Sequence, residues 1–321
     1  MTHHSGFACF VGRPNAGKST LTNAIVGEKI AIASSKPQTT RHTVRGIVSR
    51  EDAQLVIVDT PGLHRPRTLL GERLNSLVRD TWTEVDVVAV CLPANQHIGP
   101  GDTFIVNAVA QLPQRPKLVA LATKSDLVSK VRLRNHLQDI QNLEESTGIR
   151  WEHIVPVSAV TGEQVDLVCD LLCTLLPEGP ALFPEDIVTD EPTEMRIAEL
   201  IRESVLEGVR DELPHSITVI IDEMRLREGR PENKPLMEIF ASMIVERDSQ
   251  KGILIGYQGS RLKDVGSAAR AQITALLGMP VHLDLHIKVL KECNATPNTS
   301  TGWASNASGS AACRPPVHHV K

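Results

Sequence analysis

Apolar runs alternate with amphipathic stretches along the first half of the chain. The stretches have the spacing of helices that cover a sheet, and the short apolar runs predict buried strands. This alternation predicts an α/β domain with a doubly wound, mostly parallel sheet. The predicted strands are Phe7 to Val11, Leu55 to Asp59, Val85 to Leu92, Lys117 to Thr123 and Ile154 to Val157.

The pattern changes after a segment with four prolines and five acidic residues, Pro177 to Pro192, which predicts a linker. Beyond it the order is helix, strand, strand, helix, helix, strand, which is typical of an α+β domain. The clearest of these elements are a helix over Glu194 to Val209 and strands over Ile217 to Glu223, Glu238 to Glu246 and Val281 to Val289. The predicted division is a first domain over 1–176, a linker over 177–192, a second domain over 193–292 and a low-complexity tail over 293–321.

Length and composition agree with two domains and exclude several classes of protein. A chain of 321 residues exceeds what one core usually covers. The net charge of -4 gives no bulk attraction to nucleic acid, and 3% aromatic residues leave little on which bases could stack. The sequence has no secretory signal pattern and no long apolar run. We therefore expect a cytoplasmic protein, with no support for peripheral membrane association. We also expect a monomer, although the sequence does not determine the oligomeric state.

A phosphate-binding loop follows the first predicted strand. The string GRPNAGKS over Gly12 to Ser19 stands between this strand and a helical run from Thr20 to Val26, as a phosphate loop requires. Glycines let successive N–H groups face a phosphate, a lysine reaches its oxygens, and a hydroxyl binds Mg²⁺. A glycine turn without a ligand is the alternative. The expected nucleotide-binding residues here are Gly12, Asn15, Ala16, Gly17, Lys18, Ser19 and Thr20.

Three further motifs, each at the end of a predicted strand, favour GTP over ATP. Asp59 and Gly62 of DTPG are expected to hold Mg²⁺ through water and to meet the γ-phosphate. The expected base-binding residues of TKSD are Thr123, Lys124 and Asp126, and the carboxylate of Asp126 can accept both N1–H and N2–H of guanine. The string Ser158, Ala159 and Val160 can supply a main-chain N–H to the guanine O6. A nucleotide kinase would leave the TKSD string unexplained.

Together these strings resemble the bacterial Era family of ribosome-assembly GTPases. The resemblance runs from about Phe7 to about Glu292. It is narrowed to this family, rather than to other small GTPases, by the strings KPQTTRHTVRGI from Lys36 and LFPEDIVTD from Leu182. The resemblance implies GTP and GDP as ligands with Mg²⁺, and Thr40 as the threonine that closes on the metal, with Thr39 as the alternative. It implies Lys18, Thr40 and Gly62 as the catalytic set and Ser19, Thr40 and Asp59 as the metal set.

Two positions bear on nucleotide affinity and hydrolysis. Thr123 stands where the family has Asn, so a shorter hydroxyl replaces an amide that serves the base and the phosphate loop. Leu63 occupies the position of the glutamine that orients water in Ras-like enzymes, which predicts slow intrinsic turnover. Some relatives also have a hydrophobic residue at the position of Leu63, and Asn15 matches the residue that coordinates potassium in them. K⁺ is therefore an expected cofactor. A simple turn-forming role for Asn15 is equally compatible with its sequence context.

The second domain carries a G-x-x-G string between two predicted helices. On its own this string is weak, and a plain turn is the alternative. The order of elements resembles a type II KH domain, and residues 247–270 hold five basic and two acidic residues. The expected RNA-binding residues are Lys251, Gly256, Tyr257, Gln258, Gly259, Arg261 and Lys263.

The resemblance implies a GTP-hydrolysing switch that binds 16S ribosomal RNA and assists assembly of the small ribosomal subunit. An RNA-binding assembly placeholder, with GTP mainly as a structural ligand, is the alternative. Whether RNA raises the steady-state rate of phosphate release distinguishes the two.

The tail after Glu292 reads as the product of a one-base frameshift. GC-rich back-translation of the fourteen residues from Cys293 to Asn306, with a single G restored after the first TG, gives WQRDPKHLNRLGF and a stop. This sequence resembles the short basic, Trp-containing ending of the family. We therefore predict that the segment beyond about Glu292 carries no evolved function.

Overall fold

Two β-sheets organise the residues that the computed structural model describes, which are 2–33, 42–60, 81–113, 116–208, 217–231 and 233–290. The first sheet has six strands in the order β2-β3-β1-β4-β5-β6, and the second has three in the order β7-β8-β9. The first-sheet strands are β1 His4–Val11, β2 Val44–Ser49, β3 Ala53–Asp59, β4 Val87–Cys91, β5 Lys117–Thr123 and β6 His153–Val157. Its helices are α1 Lys18–Val26, α2 Pro100–Ala110, α3 Lys130–Thr147 and α4 Val165–Leu175.

The predicted α/β fold with a mostly parallel sheet is confirmed. All strand pairs of the first sheet are parallel except β2 with β3. Every residue of β3 and of β4 is buried, as expected for strands covered by helices on both faces. One core lies between the sheet, α1 and α4, and the other lies between the sheet, α2 and α3. The cysteines at 169 and 173 are buried in α4.

Two strand predictions in the first sheet need correction. Strand β2 was not predicted, because a glycine and polar residues interrupt its apolar pattern at the edge of the sheet. The strand predicted over Val85 to Leu92 is shorter, because β4 begins only after Asp86 and stops at Cys91. The Asp86 carboxylate accepts the main-chain N–H of Phe7 at 2.8 Å, and its own main-chain N–H donates to the carbonyl of Phe7 at 2.9 Å.

The second sheet follows α5, Thr193–Gly208, and has the predicted order of elements. Its remaining elements are β7 Thr218–Leu226, β8 Met237–Val245, α6 Asp248–Ile255, α7 Ser260–Leu277 and β9 Val281–Val289. β7 pairs antiparallel with β8, and β8 pairs parallel with β9. The strand predicted to end at Glu223 continues to Leu226. Its register shifts after Ile221, and the polar residues beyond the shift still pair with β8. Predicted helix residue 209 lies outside the described residues.

The predicted linker is attached to the first sheet over much of its length. The main-chain N–H of Ile47 in β2 donates to the carbonyl of Val188 at 2.8 Å. The side-chain oxygen of Gln54 accepts the main-chain N–H groups of Leu182 and Phe183 at 2.6 and 2.9 Å. These bonds extend the first unit toward residue 190, and the boundaries at 176, 192 and 292 stay predictions.

The two units also contact each other directly through α5. The buried carboxylate of Glu203 accepts the main-chain N–H of Ala33 at 2.9 Å and pairs with Lys29. Lys29 also donates to the side-chain oxygen of Gln272 in α7 at 2.7 Å. The segment that leads from α1 toward Thr40, the threonine expected to close on the metal, is therefore bonded to two helices of the second unit. Within the described residues, none of the helices is both long and apolar enough to cross a membrane.

Candidate nucleotide and RNA sites

The phosphate loop turns between β1 and α1 through two left-handed residues. Asn15 has a φ of 62° and Gly17 a φ of 95°, a conformation that glycine adopts without strain. A Cβ on Gly12 would lie 2.8 Å from the carbonyl oxygen of Cys91, so the loop can approach β4 this closely only with glycine there. The loop leads directly into the N-terminus of α1, where main-chain N–H groups favour an anion.

Lys18 holds its ammonium group inside this loop. Its Nζ donates to the carbonyls of Gly12 and Arg13 at 3.2 and 3.0 Å. Burial lowers the pKa of the Lys18 ammonium, and the carboxylate of Asp59 opposes that shift. A cation held by neutral carbonyls, with one carboxylate nearby, is suited to bind phosphate oxygens.

Ser19 and Asp59 form an oxygen donor pair beside Lys18. The hydroxyl of Ser19 donates to Oδ2 of Asp59 at 2.7 Å, and Asp59 is fully buried at the carboxyl end of β3. A hydroxyl and a carboxylate are donors that suit Mg²⁺ together with phosphate oxygens and water, so this pair fits the expected metal. Thr40, Thr39, Gly62 and Leu63 lie outside the described residues, and their expected roles stay predictions.

A cleft lies beside the phosphate loop. It brings together residues from the phosphate loop, from TKSD and from the end of β6, as the order of motifs predicts for a guanine site. Ser158 does not line the cleft; its buried side-chain oxygen accepts the N–H of Thr161 at 3.2 Å and so supports the turn. The lining residues are Gly17, Thr20, Leu21, Thr123, Lys124, Asp126, Val157, Ala159 and Val160.

Two side chains of TKSD tie this cleft to the phosphate loop. The hydroxyl of Thr123 is buried and donates to the carbonyl of Ala16 at 2.7 Å. Lys124, in a left-handed conformation, donates from Nζ to the carbonyl of Asn15 at 2.8 Å. The hydroxyl at position 123 therefore keeps a bond to the loop, despite being shorter than the family's amide.

The sequence patterns missed one ion pair at the phosphate loop. Arg13 Nε donates to Oδ1 of Asp102 at 2.7 Å, and the Asp102 side chain is 2% exposed. The other Asp102 oxygen accepts the N–H of Gly99 at the start of α2. A Cβ on Gly101 would lie 2.9 Å from Arg13 Cδ, so the glycine leaves room for the arginine. The partners are 89 residues apart, and no local motif signals the pair.

The G-x-x-G turn joins α6 to α7 at one end of a shallow groove. Gly259 and Lys263, two of the expected RNA-binding residues, line this groove. Arg261 donates from Nη1 to the carbonyl of Ile253 at 3.4 Å, and Lys251 lies on α6; neither lines the groove. Arg270 counted among the basic residues around the turn but not among the expected RNA-binding residues; it lies two helical turns after Lys263 on α7. The lining residues are Gly259, Leu262, Lys263, Gly266, Ser267, Arg270, Leu283 and Leu285.

The fold and these two sites define a P-loop GTPase followed by a KH domain. A family model described as 50S ribosome-binding GTPase matches residues 7–124, and a KH domain model matches residues 212–293. The chain is 63% identical over 295 residues to GTPase Era of Streptomyces coelicolor, covering 92% of this chain and 93% of that protein. It is also 63% identical to GTPase Era of a Nocardioides species, with 92% and 94% covered. The chain belongs to the GTPase Era family, as the motifs predicted.

Two solved Era structures share this architecture. One is a variant of Aquifex aeolicus Era bound to GDP and AlF4⁻, and the other is Era in complex with MgGDPNP and nucleotides 1506–1542 of 16S ribosomal RNA. Each has a TM-score of 0.83 and 33% identity, covering 90% of this chain and 95% of the other. The predicted GTPase activity and the predicted KH domain are thereby confirmed.

Proposed function

We propose that this GTPase is a cytoplasmic, monomeric switch that binds the 3′ end of 16S ribosomal RNA and assists small-subunit assembly. The observation that carries the proposal is the presence, on one chain, of a guanine-type nucleotide cleft and a G-x-x-G groove with basic residues. The relative crystallised with MgGDPNP and nucleotides 1506–1542 of 16S ribosomal RNA supports the choice of RNA.

The nucleotide roles follow from the contacts around the phosphate loop. Lys18, already inside the loop, would exchange carbonyl partners for phosphate oxygens. Ser19 and Asp59 would hold Mg²⁺, which supplies charge neutralisation for the β- and γ-phosphates when bound. Asp126 lines the base cleft and would select guanine.

The rate of hydrolysis depends on what replaces the missing glutamine. Leu63 can neither donate nor accept a hydrogen bond to water, so we propose slow intrinsic turnover. K⁺ held with the help of Asn15 would add positive charge at the phosphates. Thr40 and Gly62 would complete the catalytic set in the GTP-bound state.

The RNA role follows from the groove along α7. Lys263 and Arg270 would contact phosphates. The glycines at the turn would let the sugar–phosphate backbone of the RNA approach main-chain N–H groups of the protein. The apolar Leu283 and Leu285 line the same groove, where ribose or base faces can pack. Lys251 and Arg261, away from the groove, would contribute through the surrounding positive charge.

Steady-state phosphate release tests this function. The rate is measured in potassium and in sodium, with and without the RNA fragment of nucleotides 1506–1542. We expect a slow basal rate that RNA raises and that is higher in potassium. A fragment of equal length and scrambled sequence is the control. A rate that the cognate RNA leaves unchanged would favour the placeholder, in which GTP is mainly a structural ligand.

A further inference from the structure

Tyr257, the one tyrosine of the chain, stands between the two glycines of the G-x-x-G turn. It is 83% exposed, the highest exposure among the large apolar residues that the structure describes. Its hydroxyl lies 3.5 Å from Nε2 of Gln258, which is too long for a strong hydrogen bond. The ring therefore contributes little to the core of the KH domain.

The turn presents this ring from a closely constrained main chain. Gly256, Gln258 and Gly259 have φ values of 70°, 48° and 78°, all in the left-handed region. A Cβ on Gly256 would lie 2.7 Å from the Cβ of Arg261, so the turn packs tightly against the start of α7. A ring on such a turn loses less conformational freedom on binding than one on a loose loop.

The chemistry of the turn differs from that of the groove beside it. Neither Tyr257 nor Gln258 carries a positive charge, so phosphate contact depends on main-chain N–H groups and on Lys263 and Arg270. Tyrosine offers a flat apolar face with a polar edge. The RNA group that complements such a face is a base, because every base has a π-face.

We propose that Tyr257 stacks on one unpaired base of the bound RNA, beside the groove. The inference rests on the proposed RNA binding and adds a contact that depends on a base, where Lys263 and Arg270 contribute contacts that depend on phosphate charge. It makes Tyr257 the exception to a composition that otherwise provides few stacking residues.

Salt dependence of RNA affinity separates stacking from charge. With the fragment of nucleotides 1506–1542 as the probe, Tyr257→Ala is expected to lower affinity roughly five- to hundredfold at every salt concentration. The slope of log affinity against log salt stays unchanged, whereas Lys263→Ala makes it shallower by about 0.7. Tyr257→Phe keeps the ring and retains affinity. Leu226→Ala, which removes an exposed apolar side chain at the end of β7, is the control and has no effect.

Single abasic substitutions along the fragment identify the stacked base. At one position, the losses caused by the abasic site and by Tyr257→Ala are expected not to add, because both remove the same contact. Unchanged affinity in Tyr257→Ala, equal losses in the Ala and Phe variants, or additive losses at every position would overturn the stacking. Failure of the unaltered protein to bind the fragment would instead overturn the proposed RNA-binding function.

Discussion

Asp126 lies in the short turn after β5 and lines the base cleft with the phosphate loop. Asp126→Asn would place an NH₂ donor toward the exocyclic amine of guanine, while xanthine offers a carbonyl there. Because mismatched buried polar groups discriminate strongly, we expect GDP affinity to fall by about 10⁴-fold and XDP to bind in its place. Titration of fluorescent GDP and XDP against both proteins measures this exchange.

Asp139 on α3 provides a matched control for that substitution. It is exposed and does not line the cleft, so Asp139→Asn should leave both affinities unchanged. Unchanged GDP affinity in Asp126→Asn would show that the guanine is read by a different residue.

Thr123 links the base cleft to the phosphate loop through one buried hydroxyl. Thr123→Val keeps the shape and removes the bond to the carbonyl of Ala16, which should destabilise the protein by about 1–3 kcal/mol. Thr123→Ser retains the hydroxyl and serves as the control. Thr123→Asn should restore the family's contact to the base and raise GDP affinity. Thermal unfolding and nucleotide titration of the three variants check both effects; a fully stable Thr123→Val variant would contradict the role of the hydroxyl.

At the residue scale, the sequence predicted the side chains that belong to contiguous motifs. Lys18, Ser19 and Asp59 meet as expected, because a phosphate loop and a neighbouring strand end converge in this fold. The Arg13–Asp102 pair could not be predicted, because its partners come from distant elements and neither stands in a diagnostic string. Arg261 was assigned to RNA from its position in sequence; its guanidinium contacts α6, and its RNA role stays a prediction.

At the scale of elements, the G-x-x-G turn is tested best at Gly259. Gly259 and Gly278 are both left-handed, both have open space around a Cβ, and they stand before and after α7. Asp can adopt this conformation, so either substitution should leave the fold intact. We expect Gly259→Asp to weaken RNA binding about tenfold or more by repelling phosphate, with GTP affinity unchanged.

Gly278→Asp adds the same charge in the same conformation and should retain RNA binding. Gly256 is a poorer choice, because its Cβ would collide with Arg261 and disturb the turn itself. Equal RNA affinity in the two variants would contradict phosphate contact at this turn. Loss of GTP binding in Gly259→Asp would show that the two units are not separable.

Element prediction succeeded where burial imposes a clear period. Strands β3 and β4 are buried throughout and appear as continuous apolar runs, so they were predictable. Strand β2 is an edge strand, and its pairing depends on β3 and on the Val188 carbonyl more than on its own pattern. In strand β7 the alternation of buried and exposed residues is weak and the register shifts, so its last residues were not predicted.

At the scale of the whole molecule, the tail prediction is tested on the gene. A frameshift after about Glu292 predicts that resequencing the 3′ end restores a frame that encodes WQRDPKHLNRLGF and a stop. Independent isolates with an intact frame for the segment from Cys293 onward would contradict it. Residues 291–321 lie outside the described residues.

The contacts between the two units give a physical reason to expect coupling between nucleotide and RNA. Glu203 in α5 binds Lys29 and the N–H of Ala33, eight residues or fewer before the predicted switch segment at PQTTRH. Gln272, which binds Lys29, lies on the helix that lines the RNA groove. Any change near Ala33 on nucleotide exchange would therefore alter contacts with α5 and α7. Coupling requires such contacts to differ between the two nucleotide states.

The affinity for nucleotides 1506–1542 of 16S ribosomal RNA, measured with bound GTP analogue and with bound GDP, tests the switch most directly. We expect tighter RNA binding in the GTP-analogue state by about 5- to 150-fold, and RNA should favour the analogue over GDP by the same factor. Equal RNA affinity in the two states would contradict the switch, even if the protein hydrolyses GTP and binds RNA.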